Sequence, residues 1–426
     1  MTKLSRASSG HGVITMRPAL SPVFRPRTVL CYILLVGCGE TSGAPISASR
    51  DSAGVAIVEY SSFPKAVTRW TIGERPLAIV GEGEDRDSIQ FTRIGRIGAA
   101  RAPGILLRSD DSFVIAEQST RKLHAFGRNG AHLWSAGGEG QGPGEFESLA
   151  GLAILPGDSV LAYDYGNRRI TVFTPDGNYA RSFAAGREND QAINAVRGAL
   201  ATGRVVVTAT RSVPFVPGAV RSDEDVLIVT SEGERLPPFA SYRGREQVYV
   251  GENGVVRGSR SPEMARNGLI AVGMEILAVS SQDEFEVEVY DGESTLRRIF
   301  RLTMPAVKVD DSIKGAYISR EVALAELVGE SRIRASLEDA DYPLTLPTFG
   351  NLLIDSGERL WMQEYAVAVD GGSTWWVADD DGSVVAQVDN PPGFKLQAIG
   401  DAVVIGIVSN EVGVPFVQVR ALEKNP

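Results

Sequence analysis

The chain has 426 residues, 43% of them hydrophobic, which is long and apolar enough to bury a substantial core. Its 53 acidic side chains outnumber 43 Lys and Arg for a net charge of −10, and no basic stripe offsets that balance, which argues against nucleic acid as a partner. The only cysteines, Cys31 and Cys38, lie near the N-terminus, so a domain downstream of them has no disulfide and must be held by its own core.

Taken in chain order, Arg25 and Arg27 precede a short apolar run over 28–36 that ends in Leu35-Val36-Gly37-Cys38. Positive charge, then roughly 7–15 apolar residues, then small residues describe a secretory signal peptide. A buried strand is the competing reading of this run, which is too short to span a bilayer as a helix. Leu35, Val36, Gly37 and Cys38 resemble the lipobox of bacterial lipoproteins. The resemblance implies a signal peptide over 1–37, cleavage before Cys38 and acylation of the Cys38 sulfur. Met16 is an alternative start that gives a signal peptide of ordinary length. Removing 1–37 takes five basic residues and no acid, leaving 38 basic against 53 acidic side chains and a net of −15. Acyl chains, not surface charge, are then the expected membrane contact. Gly39 is not the Asp associated with inner-membrane retention, so the outer membrane is the preferred location if the host is a diderm. Residues 38–52, rich in Ser, Ala, Gly and Pro, read as a flexible tether, and 53–426 as the folded domain.

Val55 to Tyr60 and Trp70 to Val80 read as strands without a unit of their own. Beyond them an internal repeat appears: Asp111 to Glu117 aligns with Asp158 to Asp164, and without a gap Arg121 falls on Arg168, Phe126 on Phe173 and Gly130 on Gly177, at a constant offset of 47 residues. Each unit holds short runs rich in Val, Ile, Leu and aromatics, broken by Gly, Asn, Asp and Pro, which is strand and turn chemistry. Leu149 to Leu155, Val160 to Tyr163, Ile170 to Phe173 and Tyr179 to Phe183 make four antiparallel strands, the unit of a propeller blade.

Asp164-Tyr165-Gly166-Asn167-Arg168-Arg169-Ile170-Thr171-Val172-Phe173, followed by Gly177, is similar to the NHL repeat, and Gly138 to Phe146 looks like the connection between blades in the same proteins. The first unit departs at Glu117 and Thr120, where the family has Asp and Asn. The resemblance implies an all-β fold, a six-bladed β-propeller lipoprotein of bacteria built from four-stranded antiparallel blades. Val205 to Thr208 and Asp225 to Thr230 suggest a third blade with an insertion. Met274 to Ser280, Phe285 to Tyr290 and Thr295 to Leu302 suggest a fourth. Leu352 to Asp355, Arg359 to Met362, Trp375 to Asp379 and Ser383 to Val388 suggest a fifth. Phe394 to Val408 and Pro415 to Leu422 give part of a sixth, which Val55 to Tyr60 and Trp70 to Val80 would complete, closing the ring by pairing the chain ends. Between the fourth and fifth units a helical insertion is expected near 312–340. Its apolar spacing runs from Ser319, a candidate N-cap, to Leu337, with Gly329 as a break and Pro343 and Pro347 beyond the end.

Catalytic chemistry is sparse. His124 and His132 have no cysteine or carboxylate at ligand spacing, and Gly137 to Gly144 fits neither phosphate-cradling glycine motif, so no catalytic or metal residue is assigned. The acidic clusters Glu82 to Asp87, Asp283-Glu284 and Asp379 to Asp381 read as solvated turns, since none matches a calcium loop. Arg121, Arg168 and Arg169 are expected to pair with Glu117 and Asp164. Trp361, Trp375 and Trp376 form a candidate ligand surface, or else wedge between blades. The reading that follows is a lipid-anchored, monomeric, non-catalytic binding or scaffold module of the cell envelope, taking a protein, peptide or glycan, with no required cofactor. The alternative is a metal-dependent hydrolase or lyase using channel carboxylates, because the resemblance extends to lactonase propellers that hold calcium in the central channel.

Overall fold

The computed structural model describes residues 48–64, 67–82, 89–97, 101–185, 191–211, 216–324, 329–367 and 372–424. The expected signal peptide, Leu35, Val36, Gly37, Cys38 and most of the tether lie outside the described residues.

The 47-residue repeat is a repeat of backbone conformation. Asp111 and Asp158 both have φ 63°, Arg121 and Arg168 have φ 55° and 51°, and Gly130 and Gly177 have φ 81° and 82°. Three left-handed turn positions thus recur in register, and at Asp111, Arg121 and their equivalents a side chain tolerates what glycine would adopt freely.

The strands are β1 (Ala48–Ser52), β2 (Val55–Tyr60) and β3 (Thr68–Val80) at the start of the described chain. The first repeat unit is a four-stranded antiparallel sheet of β4 (Ile105–Leu107), β5 (Phe113–Glu117), β6 (Lys122–Phe126) and β7 (His132–Gly137). The second is β8 (Leu149–Ile154), β9 (Val160–Asp164), β10 (Arg169–Phe173) and β11 (Tyr179–Ala184). Both carry a bulge at the same place, between Ala125 and Phe126 and between Val172 and Phe173. Next come β12 (Ile193–Ala199), β13 (Val205–Thr210) and three longer strands, β14 (Gly218–Val229), β15 (Ala240–Glu252) and β16 (Val255–Arg260), so the insertion foreseen in the third unit is an extended hairpin. The fourth group is β17 (Leu269–Val272), β18 (Ile276–Ser280), β19 (Glu286–Asp291) and β20 (Leu296–Leu302).

Two helices follow, α1 (Asp311–Leu324) and α2 (Glu330–Glu338). α1 begins eight residues before Ser319, and the Asp310 carboxylate accepts the Ile313 N–H at 2.9 Å as its cap. Ser319 instead sits within the helix and donates to the Gly315 carbonyl at 2.8 Å. Gly329, at φ 89°, marks the start of α2. The remaining strands are β21 (Phe349–Ile354), β22 (Leu360–Glu364), β23 (Ser373–Ala378), β24 (Val384–Asn390), β25 (Lys395–Ile399), β26 (Val403–Ser409) and β27 (Pro415–Lys424).

The two ends of the described chain do not join in one place. β3 pairs antiparallel with β27, from Val80↔Val417 to Trp70↔Lys424, as expected for Trp70 to Val80. Val55 to Tyr60 does not join them: β2 runs parallel to β20 at the outer edge of the fourth group, and β1 pairs antiparallel to β2. Residues 48–52, read from composition as the end of a tether, are therefore an exposed edge strand. Sheets of four, four, five, six and eight strands result, the largest because the start of β3 also runs parallel to β24.

The first strands of successive groups lie side by side, β4 against β8, β8 against β12, β12 against β17, β17 against β21, β21 against β25, and β25 returns to β4. This is a β-propeller arrangement, with hydrophobic layers between neighbouring sheets. One layer packs Val114, Ala116 and Leu123 against Leu152, Val160 and Ala162, and another packs Ala78, Val80, Val417 and Val419 against Phe113, Ile115 and Phe126. The inner strands approach closely. At Gly151 (φ 155°) an added Cβ would lie 2.3 Å from the Val196 carbonyl oxygen on β12.

Gly151→Ala is therefore expected to destabilise the fold, by about 1–3 kcal/mol for an overpacked site. Gly138→Ala, at φ 145° with open space around the glycine, is the control for backbone strain alone. Equilibrium urea unfolding of both variants checks this, and equal losses would refute the steric account.

Candidate functional site

The repeat residues form structural clamps. Asp164 is fully buried and accepts the backbone N–H groups of Glu147 and Ser148 at 2.8 Å each, Gly166 at 3.1 Å and Asn167 at 3.3 Å, plus the Asn167 side-chain amide at 2.6 Å. Asn167 also donates to the Gly140 carbonyl at 3.1 Å, tying the glycine-rich connection to the turn. Glu117, 1% exposed, does the same work one repeat earlier, accepting from Arg93 N–H at 2.8 Å, Thr92 N–H at 3.2 Å, Thr120 N–H at 2.8 Å and Ser119 Oγ at 2.7 Å. The longer Glu side chain and Thr120 replace the Asp–Asn pair, so the departure from the repeat pattern is compensated locally. Phe126 and Phe173 are buried, each at the bulge of its unit.

The arginines do not pair with these acids as expected. Arg121 instead binds Glu139 at 2.6 Å and the Glu147 carbonyl at 2.8 Å, and Arg169 donates to the carbonyls of Gln141, Gly142 and Glu145 at 3.1, 2.8 and 2.8 Å. The buried carboxylates are already filled by N–H donors, which leaves the guanidinium groups to stitch adjacent units through backbone oxygens.

A cavity of about 980 Å³ lies where the inner strands converge. Its wall draws on the segment before β4 (Arg96, Arg101), β12 (Arg197), β14 (Glu224), β15 (Tyr242, Arg245), α1 (Arg320, Glu321), β22 (Glu364), β23 (Trp375) and β25 (Lys395). The helical insertion thus borders the cavity directly. Six of these side chains are cations and three are carboxylates, the reverse of the balance over the whole chain.

Each carboxylate is engaged. Glu321 pairs with Arg320 at 2.7 Å, Glu364 accepts Trp376 Nε1 at 2.7 Å, and Glu224 accepts Thr210 Oγ1 at 2.8 Å and the Asn194 amide at 2.6 Å. Burial pushes the Glu224 carboxyl above its usual range against the pull of Thr210 and Arg197. Arg197, 8% exposed, donates to Thr208 Oγ1 at 3.0 Å and Tyr242 Oη at 3.4 Å. Arg96 donates to the Arg101 carbonyl at 3.1 Å and to Asn351 Oδ1. Burial, with Arg101 and Arg197 nearby, pushes the Arg96 guanidinium down to about 10. Arg101 is open to solvent in the cavity, yet the protein surrounding that recess partly desolvates it, which together with the neighbouring Arg245 lowers it as well.

These arginines were not singled out from sequence, because they are spread from 96 to 245 without a spacing motif. One signal was available: Arg197 interrupts the apolar run of β12, and a lone charge on an inner strand must face something polar.

The tryptophans are buried and divided. Trp361 and Trp375 pack with Ile72, Val404 and Leu422 between the last two strand groups, whereas Trp376 stacks on Phe63 at 4.6 Å in the preceding layer. They form no shared exposed surface. Trp375 alone reaches the cavity wall, and its Nε1, like Asn390 Oδ1, is buried with no hydrogen-bond partner among the described residues. Trp361 Nε1 is satisfied by Asp355 at 3.0 Å.

His124 and His132 both contact Ser135 Oγ at 2.8 Å, on β6 and β7. Burial, reinforced by His132, pushes the His124 imidazole down to about 4, so it is a neutral core group at ordinary pH. Of the acidic clusters, Asp283 binds Arg221 at 2.5 Å, Asp379 binds Arg359 at 2.9 Å and Asp381 accepts Ser383 N–H at 2.7 Å. Residues 83–87 of the first cluster lie outside the described residues. Among the described residues no three His, Cys, Asp or Glu come together as a metal site. The cavity carboxylates, each held by its own partner beside a surplus of arginine, do not fit a channel calcium.

No protein-family model matches this chain, and no curated protein matches it. Similar solved structures include an exported protein of Bacteroides fragilis (11% identity, 87% of this chain and 100% of that one, TM-score 0.45). Others are the calcium-binding protein regucalcin of Agrobacterium tumefaciens (9%, 84% and 98%, TM-score 0.41) and a gluconolactonase of Xanthomonas campestris (12%, 84% and 98%, TM-score 0.40).

The Glu117 clamp has a pH signature. Burial works to raise its carboxyl, but hydrogen bonds from Ser119, the Arg93 N–H and Thr120 together outweigh it and hold it below the ordinary range. A depressed folded-state value adds stability above the unfolded value of about 4.3, which is lost as pH falls through the folded value. Glu117→Gln is expected to lower the Tm at pH 7 and to lose less stability than wild type between pH 5 and pH 3. Parallel Tm curves across that range would contradict it.

Proposed function

We propose that this protein is a lipid-anchored, extracytoplasmic, six-bladed β-propeller that acts as a non-catalytic binding module, with its ligand site in the cavity at the propeller axis. The blades are four-stranded at heart, with NHL-like first and second units. β16 is an addition to the third, β1 and β2 to the fourth, and β3 supplies the last strand of the sixth. Anchoring rests on Leu35-Val36-Gly37-Cys38, and the outer membrane is the proposed location in a diderm host.

The observation that carries the binding reading is the composition of the cavity wall. A rigid 980 Å³ recess offers arginine, amide, tyrosine and indole groups, a set that holds and orients a ligand, while its three carboxylates are committed to structural partners. A general acid or base would need a carboxylate or imidazole free to move a proton, and Glu224, Glu321 and Glu364 are each hydrogen-bonded or ion-paired. A protein, peptide or glycan of the envelope presented to a monomeric receptor fits this geometry.

In-cell cross-linking of tagged wild type and a Cys38→Ser variant, followed by mass spectrometry, is expected to recover a partner or glycan conjugate with the wild type at least tenfold above the variant. Equal recovery would contradict the anchored reading. Turnover of a lactone panel by the purified protein would contradict the non-catalytic one.

A further inference from the structure

The cavity has a charge the rest of the molecule lacks. The chain as a whole is net negative, yet this wall gathers Arg96, Arg101, Arg197, Arg245, Arg320 and Lys395 against three carboxylates. Arg320 is neutralised by Glu321. Arg101 and Arg245 are not: among the described residues neither has a carboxylate partner, and both are exposed to the cavity. Arg96, half-buried beside them, is fixed by a carbonyl and an amide oxygen, which orient its guanidinium without cancelling its charge.

Like charges brought together without counter-ions oppose folding, and no packing need accounts for Arg101 or Arg245, which are exposed. Guanidinium forks are donors, and what Arg101 and Arg245 lack, among the described residues, is a carboxylate acceptor. Carboxylate and phosphate oxygens are the ligand groups that match planar guanidinium forks two bonds at a time.

We propose that the axial cavity is a receptor site for a small organic oxyanion carrying two or more carboxylate or phosphate groups, gripped by Arg96, Arg101 and Arg245. This rests on the reading of the cavity as a non-catalytic binding site and gives that site a small anion as its ligand, in place of the protein, peptide or glycan named above. Arg197, held by Thr208 and Tyr242, supplies background positive potential. The acidic exterior does not favour anions, so selection is expected to come from the cavity, where opposed guanidinium groups favour a ligand whose charges are spaced to meet more than one of them.

Isothermal titration of the full-length chain in detergent with citrate, inositol hexakisphosphate and uncharged maltotriose tests this. Citrate or inositol hexakisphosphate is expected to bind, more weakly as salt rises from about 50 to 300 mM, because exposed charges are screened over roughly a Debye length. Which of the two binds tighter assigns the oxyanion to carboxylate or phosphate. Arg101→Gln and Arg245→Gln are each expected to weaken that binding at least tenfold. Each should also leave the Tm of the free protein unchanged or higher, since a like-charge contact is removed, and this separates a ligand-gripping role from a structural one. Arg101→Lys, keeping charge but losing the fork, is expected to fall between. Anion binding no stronger than maltotriose, or binding by a variant combining Arg101→Gln with Arg245→Gln equal to that of wild type, would overturn the proposal. Tight maltotriose binding with none of the anions would overturn it while leaving the binding-module reading intact. Chemical conversion of a bound anion would refute the non-catalytic reading but not the oxyanion site.

Discussion

Everything in this architecture depends on the pairing of β3 with β27. Each strand group is apolar on both faces, and each face is buried only because another group lies against it. A row of such groups would end in two uncovered faces and two open edges. β3 removes that problem by carrying residues from the start of the described chain into the sheet built by its end, from Val80↔Val417 to Trp70↔Lys424, and its first residues continue beside β24. Arg69 bound to Asp389 at 2.6 Å and Lys424 5.3 Å over the Trp70 ring mark the seam, though exposed charges of this kind add little beside the ladder and the apolar layers. With the ring closed, the inner strands are held around an axis and a cavity exists there.

Rigidity and recognition use opposite chemistry in the same frame. At the turns, buried acids are saturated: Asp164 and Glu117 each take several N–H donors, and the arginines nearby bind carbonyls or a surface acid. At the axis, Arg101 and Arg245 stand beside other arginines with no carboxylate partner among the described residues. The first arrangement is what a fold selects for itself, and the second works against stability unless something outside the chain completes it. That contrast, between polar groups satisfied at the turns and polar groups left open at the axis, is the physical basis for placing function at the cavity.

Much of the frame was legible in the sequence. The 47-residue offset between Asp111 and Asp158, the strands of the first two units and the closing role of Trp70 to Val80 follow from periodicity and turn residues alone. Other elements escaped for identifiable reasons. β12 carries Asn194, which bonds to Thr210 and Glu224, and Arg197, which lines the cavity, within its run, and so it does not alternate as a half-buried strand would. β17 is only four residues long. Val55 to Tyr60 reads as a strand, but nothing local encodes its parallel partner β20, 242 positions away at Glu59 and Arg301. In the helical segment a capping Asp310 outside the apolar pattern set the start, and Ser319 had a mid-helix role instead. The arginine cluster escaped most completely, since its members meet only after the ring has closed.

Native-state hydrogen exchange on the β3 and β27 amides tests the closure directly. The account predicts that Ala78, Ile79, Val80, Val417 and Val419 exchange only through global unfolding, with protection equal to the slowest amides of β9 and β13. Rapid exchange of β3 while β9 stays protected would show a frayed N-terminal strand on a ring that holds without it, and would contradict the claim that this one pairing carries the fold and its cavity.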